Sequence, residues 1–333
     1  MADCHNLFLK YNDDLNIIKS KKDSLKNSKE ALRKRIRKYF KENHPEYVPQ
    51  FFIQGSYKMK TMIRTKDNEC DLDDGVYFLR KPDVTCTTLQ KWVYNAVEGH
   101  TTGGQQHRKK CIRVIYSGDY HIDLPVYYKF EEDGEHPFLA VKDGDWEESD
   151  PKEFIDWFRG IKTDLMVRVS RYLKGWGDYK RNNMPSGLAM AVLTEKNLVK
   201  NERDDIALRD TLKAIKTSLK AKWECVMPTT PEDDLFNNYD ETFQKNFFSA
   251  LDDFIVDANA AIDDEECQKK ASKKWRKHFG DRFPLGEECE SDEAKSIGAA
   301  ETSGSLIIGV KGKPKDEGLR AKSKGGVYGS KKY

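Results

Sequence analysis

Asp71-Leu72-Asp73-Asp74-Gly75-Val76-Tyr77-Phe78-Leu79 reads as a β-strand that carries acid on one of its faces. Side chains alternate along a strand, so Asp71 and Asp73 share a face about 7 Å apart while Leu72 points the other way. Two carboxylates that close need a counter-ion, and two Mg²⁺ ions shared with a triphosphate would supply it and arrange in-line attack on the α-phosphate. A calcium loop is excluded by spacing, because Gly75 stands fifth rather than sixth and Pro82 occupies the twelfth position. A solvated acidic turn stays open on these residues alone. Against it, Gly75 to Leu79 continues as a strong strand, which sets the acids on sheet rather than on a loop tip.

Upstream, the apolar run Val48 to Ile53 ends in Gln54-Gly55-Ser56, and Lys58 to Ile63 is able to begin a helix. Strand, tight turn and helix start make an anion site: glycine lets the backbone approach phosphate, and the Ser56 hydroxyl donates to a phosphate oxygen. A plain turn is the other reading. Downstream, Tyr120-His121-Ile122-Asp123-Leu124-Pro125 puts Ile122 and Leu124 on one face and Asp123 with His121 on the other. A carboxylate inside an otherwise apolar strand is costly unless paired or on metal, so Asp123 either completes the metal site and orients or deprotonates a hydroxyl, or caps a local turn.

Further out, Asp14 to about Asn43 has Ile18, Leu25, Leu32 and Tyr39 seven apart with Ile36 beside them, which predicts one long amphipathic helix. Strands are predicted at Cys111–Tyr116, Tyr120–Tyr128 and Phe138–Val141, with a helix at Thr87–Val97. Asp150-Pro151 reads as an N-cap with proline at the first helical position. Helices follow at Lys162–Lys180, Pro185–Val199, Asp204–Lys222, Tyr239–Ala261 and Asp263–Phe279, so the chain turns from α+β to all-α near Asp150. Beyond Gly286 the composition turns to Gly, Ser, Lys and Glu, and a mobile tail is expected. This divides the chain into a catalytic lobe with its long helix (1–150), a helical lobe (151–286) and a tail (287–333).

Composition sets limits. Lys and Arg number 58 and Asp and Glu 56, a net charge of +2, which gives no electrostatic path for a long nucleic-acid template. No run approaches the roughly 18 apolar residues of a membrane span, and the N-terminus lacks the basic-then-apolar pattern of a secretion signal; a cytoplasmic protein without a membrane partner is expected. The seven cysteines show no C-x-x-C pair and no zinc spacing, and are read as reduced thiols.

The ordered set of Gly55-Ser56, Asp71-Leu72-Asp73 and a lone strand Asp123 about fifty residues on resembles the polymerase-β-like nucleotidyltransferase superfamily. More closely, Phe52 to Tyr57, Asp71 to Tyr77, Tyr120 to Pro125, Pro185-Ser186-Gly187 and Phe279-Gly280-Asp281-Arg282-Phe283-Pro284 resemble the bacterial cGAS/DncV-like nucleotidyltransferases over roughly residues 10 to 286. That resemblance implies a bilobal fold, a mixed sheet with a long N-terminal helix facing a helical lobe. It also implies a synthase of cyclic di- or trinucleotides in anti-phage defence, using ATP foremost, with GTP or a pyrimidine triphosphate as further substrates. Two Mg²⁺ ions, or Mn²⁺ in their place, would be held by Asp71, Asp73 and Asp123, with Gln54, Gly55 and Ser56 at the triphosphate. Lys174 and Ser186 match positions where the family contacts that triphosphate. A downstream effector would sense the product, and an operon partner would regulate or conjugate the enzyme, although the ending Gly329-Ser330-Lys331-Lys332-Tyr333 departs from the conjugated tails. The competing assignment is a template-free nucleotidyltransferase acting on RNA ends or on protein.

Overall fold

The computed structural model describes residues 1–118, 120–130 and 135–288. The chain enters through α1 (His5–Asp14) and α2 (Lys19–Asn43), so the helix expected from Asp14 begins at Lys19 and a separate helix that was not expected precedes it. Leu25, Leu32, Ile36 and Phe40 form the buried stripe of α2. Ile18 precedes the helix as its extended N-cap and is exposed. A strict seven-residue repeat drifts about 20° per heptad around a straight helix, which leaves Tyr39 half-buried at the edge of the stripe.

β1 (Pro49–Gln54) runs directly into α3 (Gly55–Met59), and β2 (Cys70–Phe78) follows. After α4 (Cys86–Ala96) come β3 (Gln105–His107), β4 (Ile112–Tyr116), β5 (Tyr120–Leu124), β6 (Val126–Tyr128), β7 (Phe138–Ala140) and β8 (Trp146–Glu148). β3 and β8 are short and half-polar, which is why alternation did not reveal them. β2 organises the sheet. It pairs antiparallel with β1 from Pro49↔Phe78 to Gln54↔Asp73, and parallel with β5 from Cys70↔Tyr120 to Asp73↔Asp123, then with β6. Pro125, which has no N–H to offer a ladder, separates β5 from β6. On the far edge β4 pairs antiparallel with β5, and β3 with β4.

The apolar face of this sheet, with Leu72, Val76, Ile122 and Leu124, packs on α2 and α4 in one core. Each such side chain contributes about 1.5–3 kcal/mol on burial. Asp74 shares that inward phase and is fully buried, its carboxylate gripped by Arg33 of α2 at 2.7 and 2.5 Å. The acidic phase, Asp71 and Asp73, faces the other way.

Helices then take over: α5 (Pro151–Ile161), α6 (Asp164–Lys180), α7 (Gly187–Asn197), α8 (Asp204–Ala221), α9 (Glu241–Asn259) and α10 (Gln268–Phe279). The Asp150 carboxylate accepts from the N–H groups of Lys152 and Glu153, the cap expected from Asp-Pro. These helices surround a second core rich in aromatic rings, including Tyr172, Trp176, Phe254, Trp275 and Phe279. Leu7, Phe8 and Tyr11 of α1 belong to it, so the N-terminal helix packs with the late helices rather than with the sheet. No described helix is long and apolar enough to cross a membrane. Cys4, Cys70, Cys86, Cys111 and Cys225 are free thiols, whereas Cys267 is disulfide-bonded, a correction to the reading of all seven as thiols. Scattered spacing holds no information on which sulfurs meet. The tail expected at 287–333 lies, from residue 289 on, outside the described residues.

His278 gives this second core a pH dependence. Its ring is buried and stacked on Phe254 at 4.2 Å, Nε2 lies 3.0 Å from Asp257 Oδ2, and Nδ1 has no partner. Burial pushes the imidazole down from 6.5 to about 4. With the folded value below the unfolded one, the folded state binds fewer protons, so stability is complete above 6.5 and declines as pH falls towards 4. Between pH 6.5 and about pH 5 this amounts to roughly 1–2 kcal/mol. Urea unfolding across that window should show the loss, and His278→Gln should flatten it.

Candidate active site

The outward face of β2 opens on a cleft of about 560 Å³ between sheet and helices. Gly55, Ser56, Thr61, Asp71, Asp73 and His121 line it from the sheet side, and Lys174, Asp178, Arg181, Pro185 and Gly187 from the helices. Six of the eight side chains singled out from the sequence line this cleft or flank it directly. Gln54 and Asp123 are set back.

Gly55 is where the cleft floor is made. Its φ is +66°, in the left-handed region, and a Cβ placed on it would lie 2.1 Å from Asp73 Oδ2. Only glycine lets the turn and the carboxylate occupy this space together. The sequence-based helix at Lys58–Ile63 begins earlier, at Gly55, and ends at Met59, with Lys60 in the left-handed conformation. Ser56 thereby lies in the first helical turn. Gln54 turns its side chain away from the cleft: its amide donates to Tyr127 Oη (3.0 Å) and accepts from Tyr77 Oη (3.2 Å) beneath the sheet turn.

Asp73 and Asp123 are register partners on parallel β2 and β5, and Asp71 is the partner of His121. Burial, then the charges of Asp71 and Asp123, push the Asp73 carboxyl up to about 8. A carboxylate raised so far marks a site short of positive charge. Three hard oxygen donors on neighbouring strand positions, Asp71, Asp73 and Asp123, fit a divalent cation of the Mg²⁺ or Mn²⁺ kind. The three are not gathered into one cluster within 4.8 Å; Asp123 is engaged bidentately by Arg113, at 2.8 and 2.7 Å. Burial and the Arg113 charge lower the pKa of His121.

Across the cleft, the Lys174 ammonium donates to Thr61 Oγ1 (2.9 Å) and Thr61 O (3.2 Å), and burial pushes its pKa down to about 8. Its aliphatic stem runs beside Gly187. Ser186 is the N-cap of α7, its Oγ accepting from the Ala189 N–H, between the cleft-lining Pro185 and Gly187. The loop that leads from α3 to β2 is tied to the helices: the Lys66 N–H donates to Asp178, Arg181 pairs with Asp67, and Arg282 donates to Asp14 and to the Arg64 carbonyl.

Arg113 was missed by sequence reasoning, yet it was accessible. A hairpin that pairs Tyr116 with Tyr120 sets Arg113 opposite Asp123, and alternation already turns it away from Ile112 and Val114. Asp178 and Arg181 left no such signal.

A sheet carrying paired carboxylates beside a Gly-Ser turn, closed by a helical lobe, is the polymerase-β-like nucleotidyltransferase fold. Residues 49–127 match the nucleotidyltransferase domain of the family described as cyclic GMP-AMP synthase, DncV-like. Over that stretch, and in the relatives below, the chain is similar to the cGAS/DncV-like nucleotidyltransferases. A cyclic GMP-AMP synthase of Escherichia albertii is 28% identical over 176 residues, 47% of this chain and 39% of that protein. One from Vibrio cholerae is 25% identical over 232 residues, 53% of each. The matched part thus spans 39% and 53% of these two relatives' length. The crystal structure of Vibrio cholerae DncV cyclic AMP-GMP synthase superposes with a TM-score of 0.73 at 20% identity, covering 85% of this chain and 98% of that one. The same enzyme has been solved with the linear intermediate pppA(3′,5′)pG, at TM-score 0.71 and 20% identity, over 85% of this chain and 98% of that one.

Proposed function

We propose that this chain joins nucleoside triphosphates into a cyclic di- or trinucleotide, with catalytic and helical lobes (1–150 and 151–286) working across the cleft. The observation that carries the reading is the opposition of two charges in one cavity: Asp71 and Asp73 on the sheet side, Lys174 on the helix side, the Gly55-Ser56 turn between them. The 3′-hydroxyl oxygen of one nucleotide attacks the α-phosphorus of another, the bond to the β-phosphate breaks, and pyrophosphate leaves. Asp71 and Asp73, joined by Asp123, would hold divalent ions that polarise the α-phosphate and stabilise the charge developing there. Asp123 aligns the hydroxyl and takes up its proton, and Arg113 fixes its orientation. Ser56 and Lys174 hold the departing phosphates, with Ser186 at the rim and the Gln54 side chain bracing the turn from below. A second round on the linear intermediate closes the ring.

Family likeness supports a signalling product made in the cytoplasm for defence against phage and read by a downstream effector. ATP and GTP are the first substrates to try, since a DncV structure holds both. The chain incubated with triphosphates and Mg²⁺, without template, should yield a small phosphatase-resistant product identifiable by mass spectrometry. Products that form only with an RNA or protein acceptor would establish the competing transferase instead.

Lys174→Met should lower kcat/KM by about 10²-fold, the scale of removing one preorganised donor to developing charge. The unfolding temperature should stay close to the parent's, since the replacement removes a charge whose burial is unfavourable.

A further inference from the structure

We infer that His136, Asp150 and Glu153 form a second cation site, away from the cleft, for a divalent ion of the zinc type. Among the described residues this is the only trio of His, Cys, Asp or Glu whose ligand atoms all lie within 4.8 Å of one another. His136 Nδ1 is 3.2 Å from Asp150 Oδ2 and 3.7 Å from Glu153 Oε2. Two stretches supply the three: the segment before β7 gives His136, and the start of α5 gives Asp150 at its N-cap and Glu153 in its first turn. The capping turn of α5 brings the two carboxylates together, and His136 reaches them from outside that turn.

Each group is oriented by a further bond. Asp150 commits its other oxygen, Oδ1, to the α5 N–H groups of Lys152 and Glu153, at 3.1 and 3.0 Å, which leaves Oδ2 aimed at the imidazole. Glu153 Oε2 accepts from the Thr230 N–H at 3.0 Å, and the Thr230 hydroxyl lies 3.2 Å from His136 Nε2. With the Nε2 proton donated to that hydroxyl, Nδ1 presents a lone pair to two carboxylate oxygens. In that tautomer three electron-rich atoms converge, a donor set that a cation would join. Ligating imidazoles are held in the correct tautomer by such a bond from their other nitrogen.

One imidazole nitrogen and two carboxylate oxygens are a zinc-type donor set, with the half-exposed side free for water. Nitrogen in the set favours Zn²⁺, Co²⁺ or Ni²⁺ over Mg²⁺. The ion would link the approach to β7, the start of α5 and the loop that carries Thr230. The site owes nothing to the catalytic reading.

The test uses tag-free full-length protein carrying Asp73→Asn, so that the cleft does not contribute, titrated with Co²⁺ and followed by visible absorption. One equivalent should bind with the d–d intensity of a low-coordinate N/O site, be displaced by Zn²⁺, and resist Mg²⁺ in large excess. Adding His136→Gln should weaken binding by about 100-fold or more, and Glu153→Gln should do the same, with unchanged circular dichroism in EDTA. His136 is 39% exposed, so the first replacement does not disturb a core. Absence of Co²⁺ or Zn²⁺ binding below about 100 µM would overturn the proposal. So would binding that both variants retain, or a sulfur charge-transfer band, which would assign the ion to a thiol.

Discussion

Asp73→Asn should reduce product formation by at least about 10³-fold, since the change removes roughly 4 kcal/mol or more of charge stabilisation at the reacting phosphate. The same variant should be more stable than its parent in metal-free solution. Burial and the neighbouring Asp71 and Asp123 hold the Asp73 carboxyl at about 8, above its ordinary 3.8. A folded-state pKa above the unfolded one gives a contribution that is complete below about 3.8 and lost as pH rises through about 8. Above that pH the parent carries an uncompensated buried charge, and asparagine does not. Calorimetry in EDTA at about pH 8 should therefore give the variant the higher Tm. Turnover at the parent rate by a folded variant would remove Asp73 from the chemistry.

Gly55→Ala should be nearly as damaging by a different route. The left-handed backbone costs an alanine about 1–2 kcal/mol. The larger effect is local: the new methyl would stand 2.1 Å from Asp73 Oδ2, so the carboxylate must move. Displacement of a reacting group by about 1 Å is worth about 10²-fold in kcat. Combined with Asp73→Asn, Gly55→Ala should cost almost nothing further, because both act through the same oxygen. An undiminished second loss in the double variant would mean that Gly55 acts on the triphosphate alone.

Much of this site was legible in the residues because β-strand phase is a local property. Leu72 and Ile122 announce which way the sheet buries, and Asp71, Asp73 and Asp123 follow by alternation. The Asp150 cap was equally local. What escaped depends on contacts between distant segments. Nothing near Asp178 or Arg181 tells that a loop more than a hundred residues earlier closes on them. The break between α1 and α2 follows from where Phe8 and Tyr11 pack, in a core assembled from the far end of the chain. His136 meets Thr230 only once the helices are in place.

The ion pair between Arg33 and Asp74 has a consequence for descent. It anchors the acidic strand from behind, by a carboxylate that takes no part in the cleft. A slip of one residue would bring Asp73 to Arg33 and Asp74 to the cleft, and the whole apolar set would face the wrong side. Register is therefore guarded by a residue pair that substrate never touches. A lineage that discarded Asp71 and Asp73 would keep this anchor intact, so, on the proposed function, the scaffold is free to yield silent paralogues that keep the fold and lose the chemistry.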